Sequence, residues 1–299
     1  MAADAFVDLH DQIARDLSGG NVVFPTYFSI TLKVRNLLKD PNLTLDGLVK
    51  GITLEPLLAT RLIQYANVAA LRGSAGEVTD LKFAILRIGM DAVRAVSFAL
   101  AIEQLALSKH MAPFAVMSQH LWEHSVTTAA IAECLARRNR KVRPDEALFA
   151  GLVHDIGAFY LLYRCAEHPV LSQDHETMIG LLVDWHDSIG HALLAAMEQP
   201  DVILDAVRDH ESAGIITDVG MVSLRDIVVL ADRFAHGIAS WLPREEIARR
   251  QILLNQGIDA TTRAGILEEC QPGLLALKAT MSVSQGQGRH PPRHMDSPT

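Results

Sequence analysis

The chain has 299 residues, 49% hydrophobic and only 5% aromatic, with a formal net charge of -8. That apolar content is enough for one large domain or two lobes with separate cores, and it excludes a chain too polar to fold. The acidic balance offers no net basic field for releasing counterions, so nucleic acid is not an expected partner.

Helices are expected throughout, because Ala, Leu, Val and Ile fill helix-length segments without frequent Gly or Pro punctuation. Ala3 to Leu17 sets Phe6, Leu9, Ile13 and Leu17 three and four residues apart, the stripe of an amphipathic helix stopped by Gly19 and Gly20. It would pack on the body or on a partner. From 21 to about 110 short helices follow: a stop at Asp40-Pro41, a cap at Thr44, an opening at Glu55-Pro56, and starts at Thr79 and Asp91. The segment Ser108 to Pro113 is the expected junction with a second lobe of longer helices, covering 111 to 281. Residues 282 to 299 are rich in Gly, Pro, Ser and Gln and predict a disordered tail, which makes His290 and His294 poor site candidates.

Cys134, Cys165 and Cys270 are odd in number and widely spaced, so reduced thiols are expected and neither a disulfide framework nor a CxxC zinc site is indicated. The start of the chain lacks the basic and apolar regions of a signal peptide, and no run reaches about 18 apolar residues. A cytoplasmic protein without membrane insertion is the expectation.

The segment LFAGLVHDIGAFYLL, Leu148 to Leu162, is otherwise of buried character, yet His154 and Asp155 interrupt it, with Gly151 and Gly157 allowing close approach of neighbouring backbones. A buried carboxylate needs a metal ion, a histidine or a basic side chain beside it. His124 lies upstream in LWEHSVTTAAIAECLA, and Asp232 lies downstream in DIVVLADRFAHG. Successive helices could thus converge two imidazoles and two carboxylates. Such mixed ligation suits iron, manganese, zinc or nickel; the alternative is that His124 with Asp155, or His154 with Asp232, form hydrogen-bonded polar struts. His186, expected just before a helix, and His210, at the end of another, are weaker candidates for a second ion. His120 sits one turn before His124, but a lone HxxxH is a weak signal.

These residues resemble the HD superfamily pattern of a histidine, a His-Asp doublet and a late aspartate. HDSIGHALLAAMEQP followed by VRDHE is similar to the later segment of the HDOD and HD-GYP branches, with His186 in the place of that segment's histidine. The stretch FPTYFSITLKVRNLLKDPNLTLDGLVKGITLEPLLATRLIQYANVAALRG, then LKFAILRIGMDAVRAV, resembles the N-terminal half of HDOD domains. Pro25, Asp40-Pro41, Pro56, Asn67 and Gly89 fall at signature positions, and the likeness runs from Val22 to Ser240.

The resemblance implies an all-α, two-lobed helical bundle with an HD-like C-terminal lobe. It implies a bacterial regulatory module that works through signalling partners, at a groove between the lobes, without catalysis and without a required cofactor. The alternative it implies is a metal-dependent phosphohydrolase or phosphodiesterase, with His124, His154, Asp155 and Asp232 as ligands and His186 or His210 assisting. A third reading is a sensor for a nucleotide or cyclic dinucleotide, with Lys82, Arg87 and Arg94 as phosphate contacts. HD-GYP enzymes carry a lysine after HDIG, paired histidines and a Gly-Tyr-Pro signature. This chain has Ala158, Asp209-His210 and no such signature, which removes a cation for phosphoryl charge and one imidazole ligand.

Overall fold

The computed structural model describes residues 2–18, 25–68, 76–208, 210, 213–217, 220–235 and 244–281, and these form helices and connecting turns with no strand among them. The expected tail with His290 and His294, and the Gly19-Gly20 stop, lie outside the described residues.

Helix α1 (Ala2–Ser18) buries Leu9 and Ile13, one turn apart as its apolar stripe requires. It docks on the chain's own body, where Asp16 meets the buried Arg164 at 3.1 Å. The side chains of Phe6 and Leu17 lie outside the described residues.

The next helices are α2 (Ser29–Leu38), α3 (Leu45–Thr53), α4 (Pro56–Ala66) and α5 (Leu81–Ala106). Thr44 caps α3, its hydroxyl accepting from the Gly47 N–H at 3.0 Å, and Pro56 takes the first position of α4, where its missing N–H costs nothing. The start expected at Thr79 is moved one residue: Asp80 is the cap, accepting from the N–H groups of Lys82 and Phe83, and its charge suits the helix N-terminus better than a hydroxyl. Gly89, at φ 81°, kinks α5, so the start expected at Asp91 is the second half of one kinked helix. Asn67 ties the end of α4 to the approach to α5, donating to the Val78 carbonyl at 2.6 Å and accepting from its N–H at 2.8 Å.

A 3-10 turn at Lys109–Phe114 occupies the expected junction. Beyond it come α6 (Ala115–Asn139), α7 (Pro144–Val153), α8 (Ile156–Ala166), α9 (Pro169–Gln173), α10 (His175–Ala196), α11 (Asp201–Val207), α12 (Leu224–Ala235), α13 (Arg244–Gly257) and α14 (Ala260–Met281). The second half of α5 is nearly all buried, and one apolar core extends from Leu9 of α1 to Met281 of α14. No described helix is long and apolar enough to cross a membrane.

Two further expectations are corrected. Cys134 of α6 and Cys270 of α14 are paired as a disulfide, with Cα atoms 5.6 Å apart, and only Cys165 is a free, buried thiol. The odd count and wide spacing concealed a contact made only when α14 packs along α6. His186 does not precede a helix but lies in the middle of α10, because Asp174 caps that helix at Thr177 and nothing between them breaks it.

Candidate metal centre

Six candidate residues of the sequence meet at one buried point. His124 comes from α6, His154 and Asp155 from the α7–α8 turn, His186 from α10, His210 from the segment after α11, and Asp232 from α12; each is 1% or 2% exposed. Gly151 and Gly157 allow this convergence. A Cβ on Gly151 would press on the Ala129 backbone of α6, and one on Gly157 would collide with the His186 carbonyl of α10.

Three of the imidazoles are held from behind. Nδ1 of His154, His186 and His210 lies 2.8, 2.5 and 3.0 Å from the carbonyls of Gly151, Leu182 and Val207, so Nδ1–H of His154 and His186 donates to backbone and that of His210 is shared between backbone and Asp187. That leaves Nε2 directed inward, the arrangement in which histidine is a metal ligand.

Nε2 of His124 is 3.2 Å from Nε2 of His154 and 3.0 Å from Asp232 Oδ1. Asp155 turns Oδ2 toward His154 at 3.3 Å and His124 at 3.6 Å, and Oδ1 toward His210 at 3.4 Å and His186 at 3.6 Å. Among His124, His154, Asp155 and Asp232, the closest imidazole–carboxylate pairs are His124 with Asp232 and His154 with Asp155, the reverse of the strut pairs expected from sequence. Both pairings contribute to one cluster, since His154 is also 3.7 Å from Asp232.

Metal–ligand bonds of about 2.1 Å place neighbouring ligand atoms about 3.0 to 3.4 Å apart. The observed separations fall in or just beyond that range. Asp155 Oδ1 is moreover buried without a hydrogen-bond partner, although it faces two Nε2 atoms. The donor set therefore fits a divalent transition metal.

Asp187 and Arg250 also belong to the centre and were not picked out from sequence. Asp187 Oδ1 lies 2.5 Å from His210 Nδ1 and 3.9 Å from His186 Nε2. It completes a second His-Asp doublet, His186-Asp187, and that repetition was the signal available. Arg250 of α13, 3% exposed, donates from Nη1 to Asp232 Oδ2 at 3.1 Å. Its surroundings in sequence, REEIARRQ, read as a solvated face.

Without an ion, protons and arginine balance the cluster. Burial opposes charge on every group here, yet Asp155 and Asp232 hold His154 up at about 9, and Asp187 and Asp155 hold His210 well above the ordinary histidine value. Burial likewise opposes the Asp155 and Asp187 carboxylates, but the neighbouring imidazoles keep both below the usual range. For His124 and His186 burial prevails and pushes them down. Burial lowers Arg250 to about 10.

The basic residues considered for phosphate lie elsewhere. Lys82 pairs with Asp46 at 2.7 Å, Arg94 lies 3.4 Å from Asp91, and Arg87 donates to the carbonyls of Ala66 and Gly76. His120 is not brought into the cluster.

A kinked all-helical body with His and Asp side chains converging from successive helices defines the class as an HD-type helical domain. The HDOD domain pattern matches residues 24–213, and the chain belongs to the HDOD family. Solved structures share the fold. A "Putative metal-dependent phosphohydrolase" from Shewanella amazonensis SB2B is 21% identical, with 92% of this chain and 99% of that one covered and a TM-score of 0.71. An HDOD domain protein from Geobacter sulfurreducens is 20% identical, with 91% and 96% covered and a TM-score of 0.57. A "Putative signal transduction protein" from Marinobacter aquaeolei VT8 is 19% identical, with 94% and 66% covered and a TM-score of 0.56. No curated protein matches the chain.

Proposed function

We propose that this chain is a regulatory HDOD module that relays a signal through protein contacts, and that its buried centre holds a transition metal as part of the core. The observation that carries this reading is the burial of an otherwise complete donor set: the six predicted ligand residues are 1% or 2% exposed. A substrate has to reach the reacting atoms, whereas an ion tying five packed segments together does not. His124, His154, Asp155 and Asp232 would hold it on one side, and Asp155 Oδ1, His186 and His210 offer further donors on the other. Ala158, at the position after HDIG, adds no cation for phosphoryl charge. Metal binding of this kind is folding energy, because the donors converge only in the folded chain.

The partner surface would lie beside the expected junction at 108–113. A cavity of about 290 Å³ beside that junction is lined by Leu107, Trp122, Glu123 and Lys278, and a signalling partner or a small ligand would engage there.

A second reading, a metal-dependent phosphohydrolase, is favoured by one feature: Asp155 directs its two oxygens at two different imidazole pairs, as a carboxylate bridging two cations would. Bound metal would supply a water of lowered pKa and polarise a phosphoryl oxygen. Metal analysis of the purified chain, with assays on phosphomonoesters and cyclic dinucleotides, separates the readings. Stoichiometric metal without turnover is expected. Turnover abolished by Asp155→Ala would replace the regulatory reading with the enzymatic one, and metal-free protein that takes up no ion would remove the centre from both.

A further inference from the structure

Helix α13 is C-terminal to residues 24–213, which carry the family match, yet one of its side chains enters the centre. Its inward face is set by Arg250 and Leu254, one turn apart and both 3% exposed, while the adjacent Arg249 and Gln251 are exposed. A guanidinium thus stands at a core position where an apolar residue would ordinarily pack, and burying its charge is costly unless a carboxylate receives it.

Among the described residues Asp232 is a carboxylate that receives it, and its two oxygens are used differently. Oδ2 accepts from Arg250 Nη1 at 3.1 Å, and Oδ1 lies 3.0 Å from His124 Nε2 and 3.7 Å from His154 Nε2. Engaging Oδ2 from behind fixes rotation about the carboxylate and presents Oδ1 alone to the imidazoles. Ligands gain affinity from such outer partners, whose loss typically weakens metal binding about 10- to 100-fold.

We propose that Arg250 is a positioning residue for the metal centre, supplied from outside the matched domain, which holds Asp232 as a one-oxygen ligand. The inference rests on reading the centre as metal-binding, and the experiment distinguishes the two. The 299-residue chain stripped with chelator is titrated with Co(II), and both affinity and the visible absorption of the bound ion are recorded for wild type, Arg250→Gln, Arg250→Lys, Asp232→Asn and the Arg250→Gln/Asp232→Asn double variant.

Wild type is expected to bind Co(II). Arg250→Gln should bind it about 10- to 100-fold more weakly with a changed spectrum, Arg250→Lys should recover part of the loss, and Arg250→Gln should add nothing once Asp232 is Asn. Unchanged affinity and spectrum in Arg250→Gln, or losses that simply add in the double variant, would overturn the proposal while leaving the metal centre standing. Should Arg250→Gln fail to fold, Arg250→Lys decides: its charge is kept but its fork is lost, so wild-type binding and spectrum there would also overturn it. Absence of Co(II) binding by wild type would overturn the metal reading and this inference together.

Discussion

Gly157 packs so closely on the backbone of His186 that a Cβ at 157 would overlap the His186 carbonyl and come within 2.5 Å of the Gly190 nitrogen. The contact seats α8 on α10 and thereby sets the distance between Asp155 and His186. Gly157→Ala has no flexible side-chain end to displace, so α10 has to move. A loss of about 1 to 3 kcal/mol in urea unfolding is expected, with weaker metal uptake. Wild-type stability in this variant would show that the close approach is not a constraint.

The imidazoles make the metal-free chain sensitive to alkali. His154, held up at about 9, and His210, held well above its ordinary value, bind protons more tightly folded than unfolded. Their stabilisation is complete below the unfolded histidine pKa of about 6.5; that of His154 is lost as pH rises through about 9, and that of His210 is lost well above the ordinary histidine value. His124 and His186, which are depressed, act in the opposite sense and only below about 6.5. The urea midpoint of chelator-treated protein should therefore fall between about pH 6.5 and 9.5, and fall less in Asp155→Asn. A flat profile would contradict the charge balance described for the cluster.

Much of this was legible in the sequence, for identifiable reasons. His154 and Asp155 stood out because two polar residues interrupt an apolar run, and burial then forces them to find partners. Thr44 and Pro56 were legible because capping is local chemistry. Asp187 escaped notice because Trp185, His186, Asp187 and Ser188 together read as a polar helix entry rather than as the middle of α10. Arg250 was hidden by the charged residues around it, and only the packing of α13 selects it from its neighbours. The Cys134–Cys270 pair joins residues 136 apart and has no local signature at all.

That pair makes a direct prediction. Closing a loop of 136 residues removes about 5 kcal/mol of unfolded-chain entropy, an upper estimate for the stabilisation. Purified, unreduced protein denatured without reductant should expose one titratable thiol, Cys165, and three after reduction. The Cys134→Ser/Cys270→Ser variant should unfold at lower urea, and reductant should lower the wild-type midpoint to meet it. Three thiols in the unreduced protein, or a midpoint indifferent to reductant, would contradict the pairing.

Arg61 and Glu103 form a further buried ion pair, 2.7 Å apart with side chains 2% and 3% exposed. Arg61 also donates to the Thr280 carbonyl, so one guanidinium joins α4, α5 and the end of α14. Burial pushes the Glu103 carboxyl up and Arg61 draws it back down, with burial prevailing. Removing one partner leaves the other charge uncompensated, and Arg61→Met should cost about 3 to 5 kcal/mol in chemical unfolding. Arg61→Met/Glu103→Leu should recover much of that loss, because two apolar side chains leave no stranded charge. Equal losses in the single and double variants would instead assign the cost to the lost Thr280 contact, and to the hold on α14 that it provides.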